Sequence, residues 1–263
     1  MDAASGGAGT GMSLERPDHR SAAVRASPNF GARKDGKPVN TLILHYTGMV
    51  SGKGAEDWLC NADSEVSSHY LVHEDGLIVQ MVAEADRAWH AGKSFWKGET
   101  DLNSASIGIE IVNPGHILGY RPFPAKQISA VTRLCRGIIL RHDIAPSMVL
   151  AHSDIAPGRK IDPGELFPWG RLAAKGIGHF VEPEPVGGGR FFTVGDEGQP
   201  VEALQKMLEM YGYDMPVTGV YDAQTEKIVR AFQRHFRPEK VDGVADVSTM
   251  KTLHRLLVAI PSA

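Results

Sequence analysis

The sequence predicts an α/β domain followed by a small all-α domain of three helices. Short β-prone runs at 41–45, 68–82, 106–112 and 148–150 are interleaved with one long amphipathic helical pattern over Ala125–His142. A Glu-Pro-Glu-Pro and Gly-Gly-Gly run within 180–190 then breaks every apolar pattern, stiff at first and flexible after, as a linker does. Beyond it the apolar residues return at helical spacing. Val201, Leu204 and Leu208 share one face with Gln205, Ile228, Val229, Phe232 and Phe236 a second, and Met250, Leu253, Leu256 and Leu257 a third. The expected division is a tail over 1–27, domains at 28–179 and 191–263, and the linker between them.

At 263 residues, with 42% hydrophobic and 22% charged side chains, the chain has enough apolar material for two globular cores. A net charge of −3 gives no electrostatic footprint for nucleic acid or an anionic membrane, so neither is expected as a partner. Cys60 and Cys135 form no CxxC pair and read as buried free thiols. The first twenty residues are rich in Gly, Ala and Ser and carry no apolar h-region, which argues against a signal peptide and favours a cytoplasmic location, with export by another route to the periplasm or cell wall as the alternative.

Taken in order, Thr41–His45 reads as an apolar strand ending at a histidine beside the glycine turn Tyr46-Thr47-Gly48. His45 can face a cleft there, although taken alone it reads better as a core or surface histidine. Ala55–Asn61 suits a short helix, and Asp75-Gly76 between β-prone runs signals a hairpin. Trp89-His90 follows in a loop, able to line a pocket or simply to meet solvent. In Ser106–Val112 the isoleucines at 107, 109 and 111 share one face, and Gly108 and Glu110 share the other. A carboxylate in such an apolar strand needs a partner, and an apolar setting raises its pKa towards that of a proton acceptor. A surface glutamate on an edge strand is the plainer alternative. His142, in the last turn of the long helix, suits a charge complement to the helix end rather than a ligand.

Met148–Leu150 reads as a strand delivering His152 into Ala151-His152-Ser153-Asp154-Ile155-Ala156-Pro157-Gly158-Arg159-Lys160-Ile161-Asp162-Pro163-Gly164. The Pro-Gly pairs hold an imidazole, an ammonium and a carboxylate in one irregular loop. A histidine and an aspartate so placed are two good zinc ligands, with a third required from elsewhere. A Pro/Gly-rich surface loop with incidental polar residues fits the same stretch. In the C-terminal half, Gly219-Val220-Tyr221-Asp222 before Thr225 echoes Gly243-Val244-Ala245-Asp246 before Thr249, each turn leading into a helix.

Together, LILHYTGM, SSHYLVHEDGLIVQMV, AWHAG, SIGIEIVNPGH and AHSDIAPGRKIDPG resemble, in order and spacing, the zinc-dependent N-acetylmuramoyl-L-alanine amidases of the AmpD/AmiD type. Those enzymes are related in fold to phage amidases and peptidoglycan recognition proteins. The resemblance spans residues 28–178, and the C-terminal segments look like a peptidoglycan-binding three-helix domain. It implies a mixed central β-sheet flanked by helices. It also implies zinc on His45, His152 and Asp162, with Glu110 as catalytic carboxylate and Lys160 as its cationic helper. Three N/O ligands leave one tetrahedral position open, as in a catalytic rather than a structural zinc site. Tyr46, His69 and His90 are expected to line the substrate groove. The implied reaction is hydrolysis of the amide between the lactyl group of N-acetylmuramic acid and L-alanine, on peptidoglycan or muropeptides, by a monomer. A phage-type endolysin would share this plan. A non-catalytic recognition protein would lack one or more of these residues, and another zinc peptidase would be expected to show an HExxH helix, which the sequence lacks.

Overall fold

The computed structural model describes residues 14–260. Strands β1 (Ala22–Val24), β2 (Phe30–Gly31) and β3 (Thr41–Tyr46) lead into helix α1 (Gly52–Leu59). Strands β4 (Tyr70–Val72) and β5 (Ile78–Gln80) form the hairpin expected around Asp75-Gly76. Then come β6 (Arg87–Ala88), the single turn α2 (Leu102–Ala105) and β7 (Ser106–Ile111). The short α3 (Gly115–Leu118), the long α4 (Ala125–His142), β8 (Val149–Ala151), and turns α5 (His152–Ile155) and α6 (Trp169–Ala173) complete the first half. Helices α7 (Gln199–Tyr211), α8 (Ala223–Phe236) and α9 (Val247–Val258) make the second.

The main sheet is mixed, in the order β1-β5-β4-β7-β3-β8, with β4–β5 antiparallel and the other pairs parallel. β7 lies inside it, between β4 and β3, so Glu110 is not on an edge strand. The tail expected over 1–27 needs correction. Ala22–Val24 pairs in parallel with β5, and the Asp18 amide donates to Gln80 Oε1 at 2.7 Å. A three-residue strand is too short to print a period of two, and it forms only because the edge of β5 offers it a ladder. The first part of that tail, residues 1–13, lies outside the described residues.

Alternation along the parallel strands sorts the side chains onto two buried faces. Leu42, Leu44, Ile107, Ile109, Ile111, Val149 and Ala151 pack in one core with Ile128, Val131, Leu134, Cys135 and Ile138 of α4. Ile43 and Leu150, pointing the opposite way, belong to a second core with Trp96, Ile155, Leu204, Leu208, Ile228, Phe232 and Leu253. The three C-terminal helices therefore cover part of the sheet's other face. The 180–190 segment is irregular but fastened to them. The Glu184 amide donates to Thr252 Oγ1 at 3.0 Å, Ser248 Oγ–H donates to the Glu184 carbonyl at 2.6 Å, and Arg255 donates to the Glu182 carbonyl at 2.9 Å. Composition marks the break in local pattern; it carries no information about which faces later meet.

The echo in the C-terminal half has a physical cause. Asp222 and Asp246 cap α8 and α9, accepting from the amides of Thr225 and Thr249 at 2.8 Å each. Gln205 and Gln233 clasp the preceding turns, their Oε1 atoms accepting from the amides of Thr218 and Gly219 and of Asp242 and Gly243. Both cysteines are free thiols. Among the described residues no helix is long and apolar enough to cross a membrane.

Candidate metal centre and cleft

Sheet register assembles the site. β3 and β7 pair so that His45 stands opposite Glu110, while Leu44 stands opposite Ala151 of β8, one residue before His152. Three parallel strands thus deliver His45, Glu110 and His152 to the same C-terminal edge, where ligand sites form in open α/β sheets. The Ser153 amide donates to the Asp162 carbonyl at 3.0 Å, which folds the Pro/Gly loop back onto the strand ends. His45 Nδ1 and His152 Nδ1 lie 2.8 Å apart, and Asp162 Oδ2 is 3.2 and 2.9 Å from them. All three residues are buried, with their ligand atoms within 4.8 Å of one another.

The hydrogen bonds behind the two rings decide their tautomers. Ser106 Oγ–H donates to the Leu102 carbonyl, so its oxygen accepts from His90 Nε2–H at 3.2 Å. His90 Nδ1 is then an acceptor and takes His45 Nε2–H at 2.9 Å. His152 Nε2–H donates to the Ala91 carbonyl at 3.2 Å. Both Nδ1 lone pairs consequently face each other and the carboxylate, an arrangement that is repulsive until a cation sits among them. Burial, then the neighbouring His152, lowers the His45 pKa to about 4, so the ring stays neutral as a ligand must. The donor set of two imidazoles and one carboxylate fits a divalent metal.

Glu110 stands beside this cluster. Its Oε2 is recessed and has no hydrogen-bond partner among the described residues. Burial, with the Asp162 charge adding to it and Lys160 opposing, raises its pKa well above the ordinary value. Gly108, on the same face of β7, leaves room for His90: a Cβ there would lie 2.5 Å from His90 Cγ. A cleft of about 520 Å³ opens over these groups, lined by Tyr46, Trp58, Trp89, His90, Glu110, Ile117, His152, Arg159, Lys160 and Asp162 among others.

The N-acetylmuramoyl-L-alanine amidase family model matches residues 35–165, and a peptidoglycan binding domain model matches residues 197–253. The chain is 39% identical over 238 residues to N-acetylmuramoyl-L-alanine amidase AmiD of Escherichia coli (strain K12), covering 83% of this chain and 82% of that one. The chain belongs to the N-acetylmuramoyl-L-alanine amidase family. It is also 36% identical over 163 residues to the 1,6-anhydro-N-acetylmuramyl-L-alanine amidase AmpD of the same organism, covering 56% of this chain and 87% of AmpD. Among solved structures it resembles E. coli AmiD in complex with the substrate anhydro-N-acetylmuramic acid-L-Ala-D-gamma-Glu-L-Lys. The TM-score is 0.73 and the identity 36%, over 86% of this chain and 92% of the other. It also resembles AmpDh3 of Pseudomonas aeruginosa in complex with anhydromuramic pentapeptide, with a TM-score of 0.70 and 32% identity, over 90% of this chain and 96% of the other.

Within the amidase site the expected groups fall into two sets. His45, His152, Asp162, Glu110 and Lys160 converge on the cleft, as do Tyr46 and His90. Tyr46 hydroxyl is 3.0 Å from His116 Nδ1. His90 borders the cleft while holding the Nε2 side of His45. His69 does not line the groove. It is fully buried behind His90, its Nδ1 accepting from the Gly108 amide at 3.0 Å and its Nε2–H donating to the Asp86 carbonyl at 3.1 Å. Burial, then the Arg33 charge, lowers its pKa to about 3. A histidine beside a strand gives no sign in sequence of which layer it joins. Sequence reasoning also assigned nothing to Ser106, Arg159 or Trp58. Arg159 donates to the carbonyls of Ala91 and Lys93 at 2.7 Å each, pinning the loop behind His152. Its place beside Lys160 was the one available signal.

Proposed function

We propose that this amidase is zinc-dependent. In this reading it hydrolyses the amide between the lactyl carbonyl of N-acetylmuramic acid and L-alanine in muropeptides or peptidoglycan fragments. The observation that supports the reading most is the shared level of His45, Glu110 and His152 at one sheet edge, closed by Asp162. A zinc ion held by His45, His152 and Asp162 would polarise the carbonyl and lower the pKa of water from about 15.7 to about 7. Glu110, its carboxylate unpaired and its pKa raised, takes the proton of the attacking water and returns it to the leaving amine of L-alanine. Lys160, on the wall of the same cleft, stabilises the negative charge that develops on the lactyl oxygen. Trp58, Trp89 and Ile117 give the cleft apolar walls for the sugar and peptide.

The ligand in the E. coli AmiD complex suggests an anhydro-muropeptide as the assay substrate. Mass spectrometry of the products should find an intact anhydro-muramic acid sugar and a peptide with a free L-alanine amine. Cleavage inside the peptide, or between sugars, would contradict the proposal.

A further inference from the structure

The turn that carries His152 is tied to the C-terminal helices by one buried carboxylate. Asp154, with no exposed surface, accepts from the Tyr213 hydroxyl at 2.9 Å through Oδ1. Its Oδ2 accepts from His235 Nδ1 at 2.6 Å and from the Ala151 amide at 2.8 Å. Ala151 and Ser153 flank the ligand. One carboxylate therefore fixes the backbone on the near side of His152, while on its far side the Ser153 amide registers the loop bearing Asp162.

The donors that reach Asp154 from the second half are held rigidly. The His235 ring stacks on Trp169 and on Phe236, with centroids 3.7 and 3.8 Å apart. Tyr213 meets Trp96 edge to face at 4.9 Å. Tyr213 and His235 are 1% and 2% exposed, so no water competes for these bonds. A carboxylate in such a place is tolerated only when its oxygens are paired. Within the catalytic half, among the described residues, the Ala151 amide is the one donor to it. Two of its three donors come from the C-terminal half, Tyr213 just past the end of α7 and His235 within α8, and that half then helps decide where the His152 turn can sit.

We propose that Tyr213 and His235 are positioning residues for the metal centre, and that the C-terminal domain completes the catalytic unit by holding the His152 ligand in place. The inference rests on reading His45, His152 and Asp162 as a zinc site. Its consequence is specific: loss of either donor lets the His152 turn relax, and zinc binding weakens before the fold is lost. Groups that orient metal ligands from outside typically change metal affinity by about 10–100-fold.

The test uses the full chain and Zn2+ itself. Tyr213→Phe removes one oxygen, and His235→Leu removes a donor. His235→Asn restores a donor near the Nδ1 position. Leu253→Ala, in the core of α9, destabilises the helices without touching Asp154. Zinc dissociation constants come from chelator competition on samples shown to be folded by circular dichroism, with kcat and KM measured on a soluble muropeptide. The expected result is zinc affinity about tenfold weaker in Tyr213→Phe and His235→Leu, with kcat falling more than KM rises. His235→Asn should recover most of the affinity, and Leu253→Ala should bind zinc like the parent at a comparable loss of thermal stability. Parent-like zinc binding by Tyr213→Phe overturns the inference even if His235→Leu fails to fold. Equal weakening by Leu253→Ala overturns it too. If the parent chain takes up no zinc, the metal reading itself is wrong and this inference falls with it.

Discussion

Glu110→Gln separates the chemistry from the scaffold more sharply than any other single change. The side chain lies on an inner strand opposite His45, and its Oε2 has no partner among the described residues, so an amide of the same shape fits without loss of a bond. The variant cannot take a proton from water. Removing a general base typically costs about 10²–10⁴-fold, or about 3–5 kcal/mol of transition-state stabilisation. The metal ligands are untouched, so zinc content should stay at the parent level. The carboxyl's pKa is raised in the folded state, so its ionised form opposes folding at neutral pH. The metal-free variant should therefore be more stable than the metal-free parent at neutral pH. Initial rates on an anhydro-muropeptide, metal analysis and guanidinium unfolding of the same samples read all three quantities. A rate within tenfold of the parent would remove Glu110 from the proton-transfer role. Loss of metal together with activity would make it a ligand and overturn the division of labour drawn above.

Three further outcomes follow from neighbouring contacts. His90→Ala deletes the acceptor that fixes the His45 tautomer and should weaken zinc binding by about 10–100-fold in a chelator competition; unchanged affinity would refute that orienting role. His69 has a folded pKa of about 3 against 6.5 for the free side chain, so the stability its neutral ring supports is whole above about pH 6.5 and drains away as pH falls towards 3. Between pH 7 and 5 that amounts to about 2 kcal/mol, and His69→Gln should flatten the pH dependence of unfolding by that much; an unaltered slope would count against it. A chain ending at Pro185 uncovers Ile43, Trp96, Leu150 and Ile155 and strips Asp154 of Tyr213 and His235. At about 1.5–3 kcal/mol for each large apolar side chain, that exposure rivals the whole stability of a domain. Insoluble protein or a much lowered Tm is expected, whereas an unchanged Tm with full activity on small muropeptides would show that the two halves are independent.

Much of the site was legible because local pattern and function coincide there. Ile107, Ile109 and Ile111 set the period that turned Glu110 away from the α4 core, and the Pro/Gly loop after His152 announced itself by composition. The sheet and the C-terminal helices were legible for the same reason, since each long element prints its own period. What stayed hidden depends on layers meeting. Ala22–Val24 carries no period until β5 offers it an edge. His69 and His90 look alike in sequence, yet one is sealed behind the other. The 180–190 run signals a boundary in pattern, while Asp154 joins the two sides through bonds to Tyr213 and His235, 59 and 81 positions away, and Trp96 does so through the second core.

The most direct test of the central claim is metal analysis coupled to activity on the full-length chain. Purified protein should carry about one zinc per chain. It should lose muropeptide hydrolysis when a chelator removes the metal, and regain it when zinc is added back. Alanine at His45 or His152 should prevent that recovery. Undiminished hydrolysis by the metal-free protein would contradict the account.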